Sequence, residues 1–530
     1  MKKLSTRLCC LVLAVVLGLA LMAGCSPKEG GEQTTTQPSQ QGTTTQGTTA
    51  PTTTPEPKRD SLTFVTWIKA TTYDVTAGGV ADKGINHAIF DTLVKFGKTG
   101  DIEPMLAESW KESDDGMEVT FKLREDVTFH DGSPFSADDV IYFIETGLAS
   151  TSFSSRISPY IAAYEKVDDY TVKLRKPFVY TNLYAFLAEQ SYILPKATHE
   201  KDPVAYNELP IGTGPYKFVS KGADGAVNLE AYGDYYGSVA EVKYIKVQQP
   251  LDPSAAVIAL ETGDADFIVN VPNSQHPIIT GNNKLNLVTT NSWGSMMLLL
   301  MGSTMKNDIN LRKAIFHGVN RDNAVIMATE GTGFAATQLF SDRLMKDYIG
   351  EVPMEGYDEA KAKEYLAQSN YTAGDKIYIT ITDNAALAQS IQSDLKRIGL
   401  DIEIDQVDTA ALLQKLGTGE IDMYMTDMGN STMSPSSLLV TFRESAKQIG
   451  ENVYSDEAYN ALANELMAMT DASQLHAKTV EGLKMLRDFF NIVNIYESSN
   501  NYAHSKDFVY DYPVSATSYV YYYGEITLAP

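Results

Sequence analysis

The sequence predicts an α/β protein built from two similar lobes with a cleft between them, and three observations lead to this prediction. A stretch of 19 residues occurs twice without gaps, at 252–270 and at 408–426. A predicted strand precedes each copy, at 242–247 and at 400–407, so each copy completes a βαβ unit with parallel strands. All three cysteines lie within the first 25 residues. The body of the chain therefore contains no disulfide, zinc–thiolate site or cysteine nucleophile.

The two copies share residues that a helix and its flanking strands require. In each copy an Asp can cap a helix of about nine residues, a Gly can end it, and a β-rich run follows. Ligands of such sheets bind beyond the carboxyl ends of the strands, which directs the search for a site to those ends. The shared positions are Asp252/Asp408, Ala255/Ala411, Leu260/Leu416, Thr262/Thr418, Gly263/Gly419 and Asp266/Asp422.

The first 25 residues have the pattern of a bacterial export signal that ends in a lipidation site. Three cations precede an apolar run at 8–22, which is short for a membrane span, and two small residues precede Cys25. The pattern resembles a lipoprotein signal, with residues 1–24 removed and Cys25 receiving the lipid. A cleaved secretory signal with an incidental cysteine is the alternative.

Residues 25–59 are predicted to be a disordered tether. Eleven of the 34 residues after Cys25 are threonine, and Ala50 is the only apolar one. Such a composition cannot form a core, and a flexible chain of this length spans roughly 30 Å. We therefore expect a lipid-anchored protein on the extracytoplasmic face of a cell membrane, in an envelope of the Gram-positive type.

Charge and motif content exclude several classes of function. The chain has 43 basic and 67 acidic residues, for a net charge of −24. The net charge becomes −27 once the three cations of the signal are removed, and so acidic a body excludes nucleic acid as a partner. No nucleophile elbow, HExxH motif or phosphate loop occurs, so we expect no catalytic residues. A secreted hydrolase that uses paired carboxylates is the alternative from the enzyme class. The seven histidines are scattered without paired spacing, which predicts no metal site and no cofactor.

Several segments resemble the family 5 extracellular solute-binding proteins of ABC transporters, the peptide/nickel-binding group. The similarity runs in order from about residue 60 to 530, and its longest block is far more specific than a single short motif. The segments are IFDTLVKF (89–96), PMLAESWKESDDGMEVTFKLREDVTFHDGSPFSADDV (104–140), GTGPYKF (212–218), LRKAIFHGVNRD (311–322) and SDLKRIGLDIEI (393–404).

This resemblance implies an α/β, two-lobed type II periplasmic binding protein fold with an extra small domain and a central cleft. Lobe I is expected to contain three separate segments of the chain, and lobe II one. The implied boundaries are 1–24 signal peptide, 25–59 tether, 60–98 lobe I, 99–199 small extra domain, 200–296 lobe I, 297–503 lobe II and 504–530 lobe I.

The resemblance also implies capture of a solute by closure of the lobes and its delivery to an ABC permease in the membrane. A peptide is the solute that the family favours. An oligosaccharide or a metal chelate, bound by the same fold, is the alternative, as is a sensor that signals through a membrane partner. We expect a monomer whose contacts are the solute, the permease and the lipid at Cys25.

Candidate ligand-binding residues are those that follow predicted strands and face the cleft. A Trp offers a large surface on which a ligand can stack, although each of the two Trp candidates could instead belong to the core. An Asp could pair with a cationic group of the ligand or cap the following segment. The candidates are Trp67, Asn270, Trp293, Asp383, Asn384, Asp427, Asn430 and Ser431.

The sequence departs from its peptide-binding relatives at two anchor positions. Those relatives hold the peptide amino group with an Asp shortly before a Pro, and counting back from Pro435 places Ser431 there. Dipeptide binders also have an Arg before the helix that here starts at Ala385, and this chain has none. Burying a free amine and a carboxylate without charged partners is costly, so free dipeptides are disfavoured.

Overall fold

The computed structural model describes most of the chain after residue 59. The predicted signal peptide, Cys25 and the tether lie outside the described residues, as do Trp67, Asn430 and Ser431. None of the described helices is long and apolar enough to cross a membrane. The described ranges are 60–66, 72–76, 83–151, 153–248, 252–331, 333–429, 433–447, 449–512 and 520–530.

The first half of the chain combines strands with mostly short helices. The elements up to residue 281 are β1 (Ser61–Val65), α1 (Lys83–Ile89), β2 (Val94–Phe96), β3 (Ile102–Pro104), β4 (Ala107–Glu112), β5 (Glu118–Leu123), α2 (Ala137–Ala149), α3 (Ser154–Ile157), β6 (Ala163–Asp168), β7 (Thr171–Arg175), α4 (Leu183–Gln190), α5 (Lys196–Lys201), α6 (Pro203–Glu208), β8 (Tyr216–Lys221), β9 (Val227–Ala231), β10 (Tyr244–Gln248), α7 (Pro253–Thr262), β11 (Phe267–Val269) and α8 (His276–Gly281).

The second half begins with the longest described strand and contains the longer βαβ units. Its elements are β12 (Leu285–Leu300), α9 (Gly302–Lys306), α10 (Ile309–Gly318), α11 (Arg321–Thr329), β13 (Phe334–Ala335), α12 (Asp342–Met345), α13 (Glu359–Ala367), β14 (Lys376–Ile381), α14 (Ala385–Ile398), β15 (Asp401–Gln406), α15 (Thr409–Thr418), β16 (Met423–Met428), α16 (Pro435–Thr441), α17 (Glu457–Ala468), α18 (Leu475–Asp488), β17 (Ile492–Ser505), β18 (Phe508–Val509) and β19 (Thr527–Leu528).

Within the described residues, one sheet of 11 strands runs through both halves of the chain. Its order is β15-β14-β16-β12-β17-β11-β1-β10-β9-β8, and β13 also pairs with β17. The predicted repeat occupies equivalent places in this sheet: β10 and β11 flank β1 in parallel, and β15 and β16 flank β14 in parallel. The predicted parallel βαβ units are therefore confirmed. A separate antiparallel sheet, β4-β5-β7-β6, lies within the predicted small extra domain.

The residues shared by the two copies have the same structural roles in both. Asp252 and Asp408 accept hydrogen bonds from backbone N–H groups at the starts of α7 and α15, and Gly263 and Gly419 end these helices with φ of 81° and 73°. Only glycine takes such φ values without strain, so the sequence pattern fixes both helix ends.

The last shared residue of the repeat ties each copy to the central strand between its two parallel neighbours. Asp266 Oδ2 accepts a hydrogen bond from Thr63 N–H at 2.7 Å, and Asp422 Oδ2 accepts one from Tyr378 N–H at 3.1 Å. These N–H groups belong to β1 and β14. Each carboxylate therefore satisfies a backbone donor near the start of the strand that its βαβ unit surrounds.

Two glycine-containing turns in the first half interlock through a histidine. His130 Nδ1 accepts from Gly212 N–H at 3.3 Å and Nε2 donates to the Gly214 carbonyl at 2.9 Å, which identifies the neutral tautomer. Burial lowers the pKa of His130 to about 4. A Cβ on Gly212 would lie 2.0 Å from the Ile89 carbonyl oxygen, so this turn needs glycine to approach α1.

Strands β12 and β17 pair along most of their length and connect two sets of hydrophobic cores. Their register shifts between Asn291 and Ser295, which marks a β-bulge. Two hydrophobic clusters contain core residues before 286 and after 501. Two other clusters contain core residues between 296 and 496. We call residues 60–291 and 499–530 the first lobe and residues 295–497 the second lobe. The predicted limits of 297 and 503 fall within β12 and β17, and the domain boundaries stay predictions.

Replacing Asp422 with Ala tests the role of the repeated Asp. The change leaves Tyr378 N–H without its acceptor, so we expect the free energy of unfolding to fall by about 1–3 kcal/mol in urea titrations. Glu420→Ala, an exposed acid two residues away, is the control and should change it by less than about 0.5 kcal/mol. Equal effects of the two substitutions would contradict the role of Asp422.

Candidate functional site

A cavity of about 400 Å³ lies between the two lobes. Its volume falls in the range of small-molecule sites, and both lobes contribute to its wall. The first lobe supplies Phe96, Gly100, Asp101, Ile102, Asn182 and Ala185; the second supplies Arg343, Leu344, Lys346, Asp347, Tyr348, Met433, Ser434 and Pro435; Trp293 comes from the bulge that joins them.

Trp293 lines this cavity because the bulge in β12 turns that part of the strand out of register. Its side chain is half-buried and packs partly on a core of the second lobe. Its carbonyl accepts a hydrogen bond from Ser341 Oγ at 2.7 Å, and the Arg343 guanidinium lies 6.0 Å from its ring centroid. Trp293 therefore combines partial packing in the core with a surface that faces the cavity.

The structure brings two predicted acids, Asp383 and Asp427, into electrostatic contact with one tyrosine. Burial raises the pKa of Tyr496 to about 12, and the negative charges of Asp427 and Asp383 add to this shift. Asp427 is exposed on β16, opposite Met296 of β12. A Cβ on Gly294 would lie 2.3 Å from Asp427 Oδ1, so Gly294 allows β12 to pack closely against this carboxylate.

The predicted residues Asn270 and Asn384 lie at strand ends in different lobes, and both have a positive φ. Asn270 follows β11 with φ of 55°, and its N–H donates to the Asn501 carbonyl at 3.0 Å. Asn384 precedes α14 with φ of 58° and donates from Nδ2 to Asp383 Oδ1 at 2.9 Å. Such backbone strain is found in ligand-binding sites. Neither Asn lines the interlobe cavity, and ligand contact by any predicted residue stays a prediction.

Glu497 is a central residue that the sequence analysis missed. It lies on β17 at the bulge, is only 3% exposed, and bonds to two other elements. Its Oε2 accepts from Asn291 Nδ2 at 3.1 Å, and its Oε1 accepts from Asp342 N–H at 2.9 Å. Burial raises the pKa of Glu497 to about 7, and the charge of Asp342 adds to the shift. Glu497 directly follows the mostly apolar run 492–496 and begins a polar stretch, so no local pattern marks it as a buried acid.

The sequence analysis also missed Arg343, Lys346 and the contact that closes one side of the cavity. Ser434 Oγ of the second lobe donates to the Tyr180 carbonyl of the first lobe at 3.2 Å. The pKa of Asp101 is lowered by the Thr99 hydroxyl and, across the cavity, by the charge of Lys346. These residues lie in loops or in a four-residue helix, where no periodicity identifies a functional face.

A second cavity, of about 220 Å³, lies within the first lobe between β2 and the loop at 235–238. Its Lys95 already pairs with Glu525 at 2.9 Å. The buried Asp91 lies nearby, receives a hydrogen bond from the Tyr235 hydroxyl, and has a pKa raised by burial to about 7. The interlobe cavity, by contrast, is lined by both lobes. Within the described residues, no group of three or more His, Asp or Glu side chains could hold a metal ion.

Comparisons with known proteins agree with this geometry. The sequence pattern of bacterial extracellular solute-binding proteins, family 5 Middle, matches residues 101–449. The chain is 27% identical to the oligopeptide-binding protein AppA of Bacillus subtilis (strain 168) over 428 residues, which cover 74% of this chain and 78% of AppA. It is 27% identical to the glutathione-binding protein GsiB of Pectobacterium atrosepticum over 365 residues, which cover 66% of this chain and 70% of GsiB. The solved structure of HbpA2 from Haemophilus parasuis aligns with a TM-score of 0.78 at 23% identity, covering 89% of this chain and 100% of HbpA2. The predicted two-lobed α/β fold of the periplasmic binding proteins is confirmed.

The raised pKa of Glu497 predicts a pH-dependent stability. Between pH 4.5 and about 7 the folded protein keeps a proton on Glu497 that the unfolded chain has lost. The free energy of unfolding should therefore fall as pH rises through this interval, by up to about 3 kcal/mol from this group. Urea titrations at pH 5, 6 and 7 measure the slope.

Glu497→Gln should flatten this slope because Gln stays neutral throughout. Asp91→Asn provides a comparison, since Asp91 is a buried acid of the first lobe whose pKa is also raised to about 7 and which lies away from the bulge. Its effect should be independent and additive. A wild-type slope in Glu497→Gln would exclude Glu497 as the titrating group.

Proposed function

The chain belongs to the family 5 bacterial extracellular solute-binding proteins, and on that basis we propose that it captures a solute between its lobes and delivers it to an ABC permease. The interlobe cavity carries this proposal, because a solute bound there touches both lobes at once. A solute that contacts both lobes binds the closed form more tightly than the open form, and it therefore shifts the protein toward closure. A permease can then distinguish the loaded protein from the empty one by its shape.

Closure requires a connection that can bend, and β12 with β17 supplies it. The bulge at 291–295 interrupts the ladder between the lobes, while regular pairing on both sides keeps each lobe stiff. Small rotations at the bulge would open or close the cavity. The hydrogen bond from Ser434 to Tyr180 would form on closure and break on opening.

A peptide is the solute that we propose. The curated relatives AppA and GsiB are named as oligopeptide- and glutathione-binding proteins. The two anchors of the dipeptide binders are missing from this sequence, which favours a peptide longer than two residues. The cavity offers Trp293 and Tyr348 for side-chain contacts, and Asn182 and Ser434 for polar contacts with a peptide.

The same proposal assigns the protein no catalysis and a place at the cell surface. A binding protein needs no reacting group, and its relatives are named for binding alone. We propose that Cys25 carries a lipid and that residues 25–59 let the body reach the permease from the outer face of the membrane. The protein is proposed to act as a monomer.

Trp293→Ala tests the cavity as the solute site. A pool of synthetic peptides of three to nine residues would first be screened by thermal shift, since a ligand at 100 times its Kd adds about 2.7 kcal/mol of stability. For a peptide that binds, we expect Trp293→Ala to weaken binding about 10- to 30-fold in calorimetry, with little change in Tm.

Trp293→Phe is the matched control, because it keeps an aromatic ring in the cavity and should retain most of the affinity. Collapse of the Tm in Trp293→Ala would instead assign this side chain to the core. Unchanged affinity in a folded Trp293→Ala would contradict the proposed site.

Cys25→Ala tests the lipid anchor. Without a thiol the chain cannot be lipidated, so we expect the protein to leave the membrane fraction and appear in the medium or wash of the producing cells. Immunoblots of the separated fractions measure this. Cys9→Ala, in the apolar run of the same signal, should not change the distribution, and membrane retention of Cys25→Ala would refute the anchor.

A further inference from the structure

We propose that Arg343 is the docking point for a carboxylate of the bound solute, with the ring of Trp293 beside it. The inference rests on the proposed function and names the chemical group that this cavity recognises. It also gives a role to an arginine that the sequence did not single out.

The guanidinium of Arg343 lacks the hydrogen bonds that Arg312, another arginine of the second lobe, makes. In the part of the chain that the structure describes, no hydrogen bond or ion pair engages it, and it lies 6.0 Å from the centroid of the Trp293 ring. Arg312, buried in the same lobe, donates to the carbonyls of Phe489 and Met305. Arg343 therefore faces the cavity with its donors unused.

Burial makes this arrangement costly in the absence of a ligand. Burial lowers the pKa of the Arg343 guanidinium, and the negative charge of Glu497 opposes this shift without cancelling it. Both carboxylate oxygens of Glu497 already accept hydrogen bonds, from Asn291 and from the backbone of Asp342. A carboxylate that binds such a partly desolvated cation supplies the missing counter-charge and stabilises it. A guanidinium can also donate to both carboxylate oxygens at once.

The balance of charge in the cavity favours a carboxylate over a more highly charged anion. Asp101 and Asp347 line it together with Arg343 and Lys346, so two acids offset two bases. A phosphate dianion would meet both acids, whereas a solute with one carboxylate and one ammonium matches the cavity. Lys346 is exposed and acts on Asp101 across the cavity, which leaves Arg343 as the half-buried cation.

A competition between paired ligands tests this assignment. The protein without its signal and lipidation site, residues 26–530, would be incubated with an equimolar mixture of tetrapeptides that have free or amidated C-termini. The mixture would also contain uronic-acid disaccharides and their methyl esters. Mass spectrometry of the material retained with the protein after desalting gives the ratio of acid to neutral forms. We expect the wild-type chain to retain the acids at least about tenfold over their neutral partners.

Substitutions of Arg343 assign the preference to this residue. Arg343→Gln should bring the ratio close to one, and Arg343→Lys should give an intermediate ratio because it keeps the charge but loses the planar fork. Arg397→Gln is the matched control, because Arg397 lies on α14 outside the cavity wall, and it should keep the wild-type ratio. The Tm of each variant shows whether it is folded, and Arg343→Lys carries the test if Arg343→Gln is not.

Each outcome decides between the two proposals. Peptides retained with an acid-to-neutral ratio near one, or a wild-type ratio in Arg343→Gln, would overturn the role of Arg343 and leave peptide capture standing. Retention of acidic sugars alone, lost in Arg343→Gln, would support Arg343 and contradict a peptide as the solute. Retention of no acid form by the wild-type chain would overturn the carboxylate contact.

Discussion

The pairing of β12 with β17 is the constraint on which the rest of the structure depends. These two strands join the parallel strands of both lobes into one sheet, so the position of each lobe follows from their register. The shift between Asn291 and Ser295 interrupts that register at the boundary between the hydrophobic cores. Because a bulge leaves residues out of the ladder, it turns Trp293 toward the space between the lobes.

The electrostatics of the joint follow from the same geometry. Glu497 is buried because β17 crosses the molecule at its centre, and burial rather than any single neighbour accounts for the main part of its raised pKa. Asp342 and Arg343 begin the short helix α12 against this carboxyl group. The protonation state of Glu497 at the bulge and the charge of the cavity therefore depend on neighbouring residues, and perturbed groups of this kind are typical of functional sites.

The sequence was sufficient wherever a local rule decided the structure. Helix α14 starts at Ala385, as the sequence analysis places it, and Gly399 ends it with a positive φ. Ser136 and Asp139, three residues apart, form a capping box at the start of α2. The site was only partly accessible in this way. Trp293 lines the cavity and Asp427 lies beside Gly294, but Arg343 and Glu497 carry no local pattern that could identify them.

By itself, the sequence determined the α/β class, the βαβ repeat and the family, because caps, glycine turns and hydrophobic periodicity act over a few residues and leave a readable pattern. Tertiary structure decided which residues meet in the cavity and which charges lie without partners. Trp293, Arg343 and Glu497 are separated by about 50 and 150 residues in the chain. Their proximity depends on one register shift and on how completely water is excluded around it, and neither can be read from residue types alone.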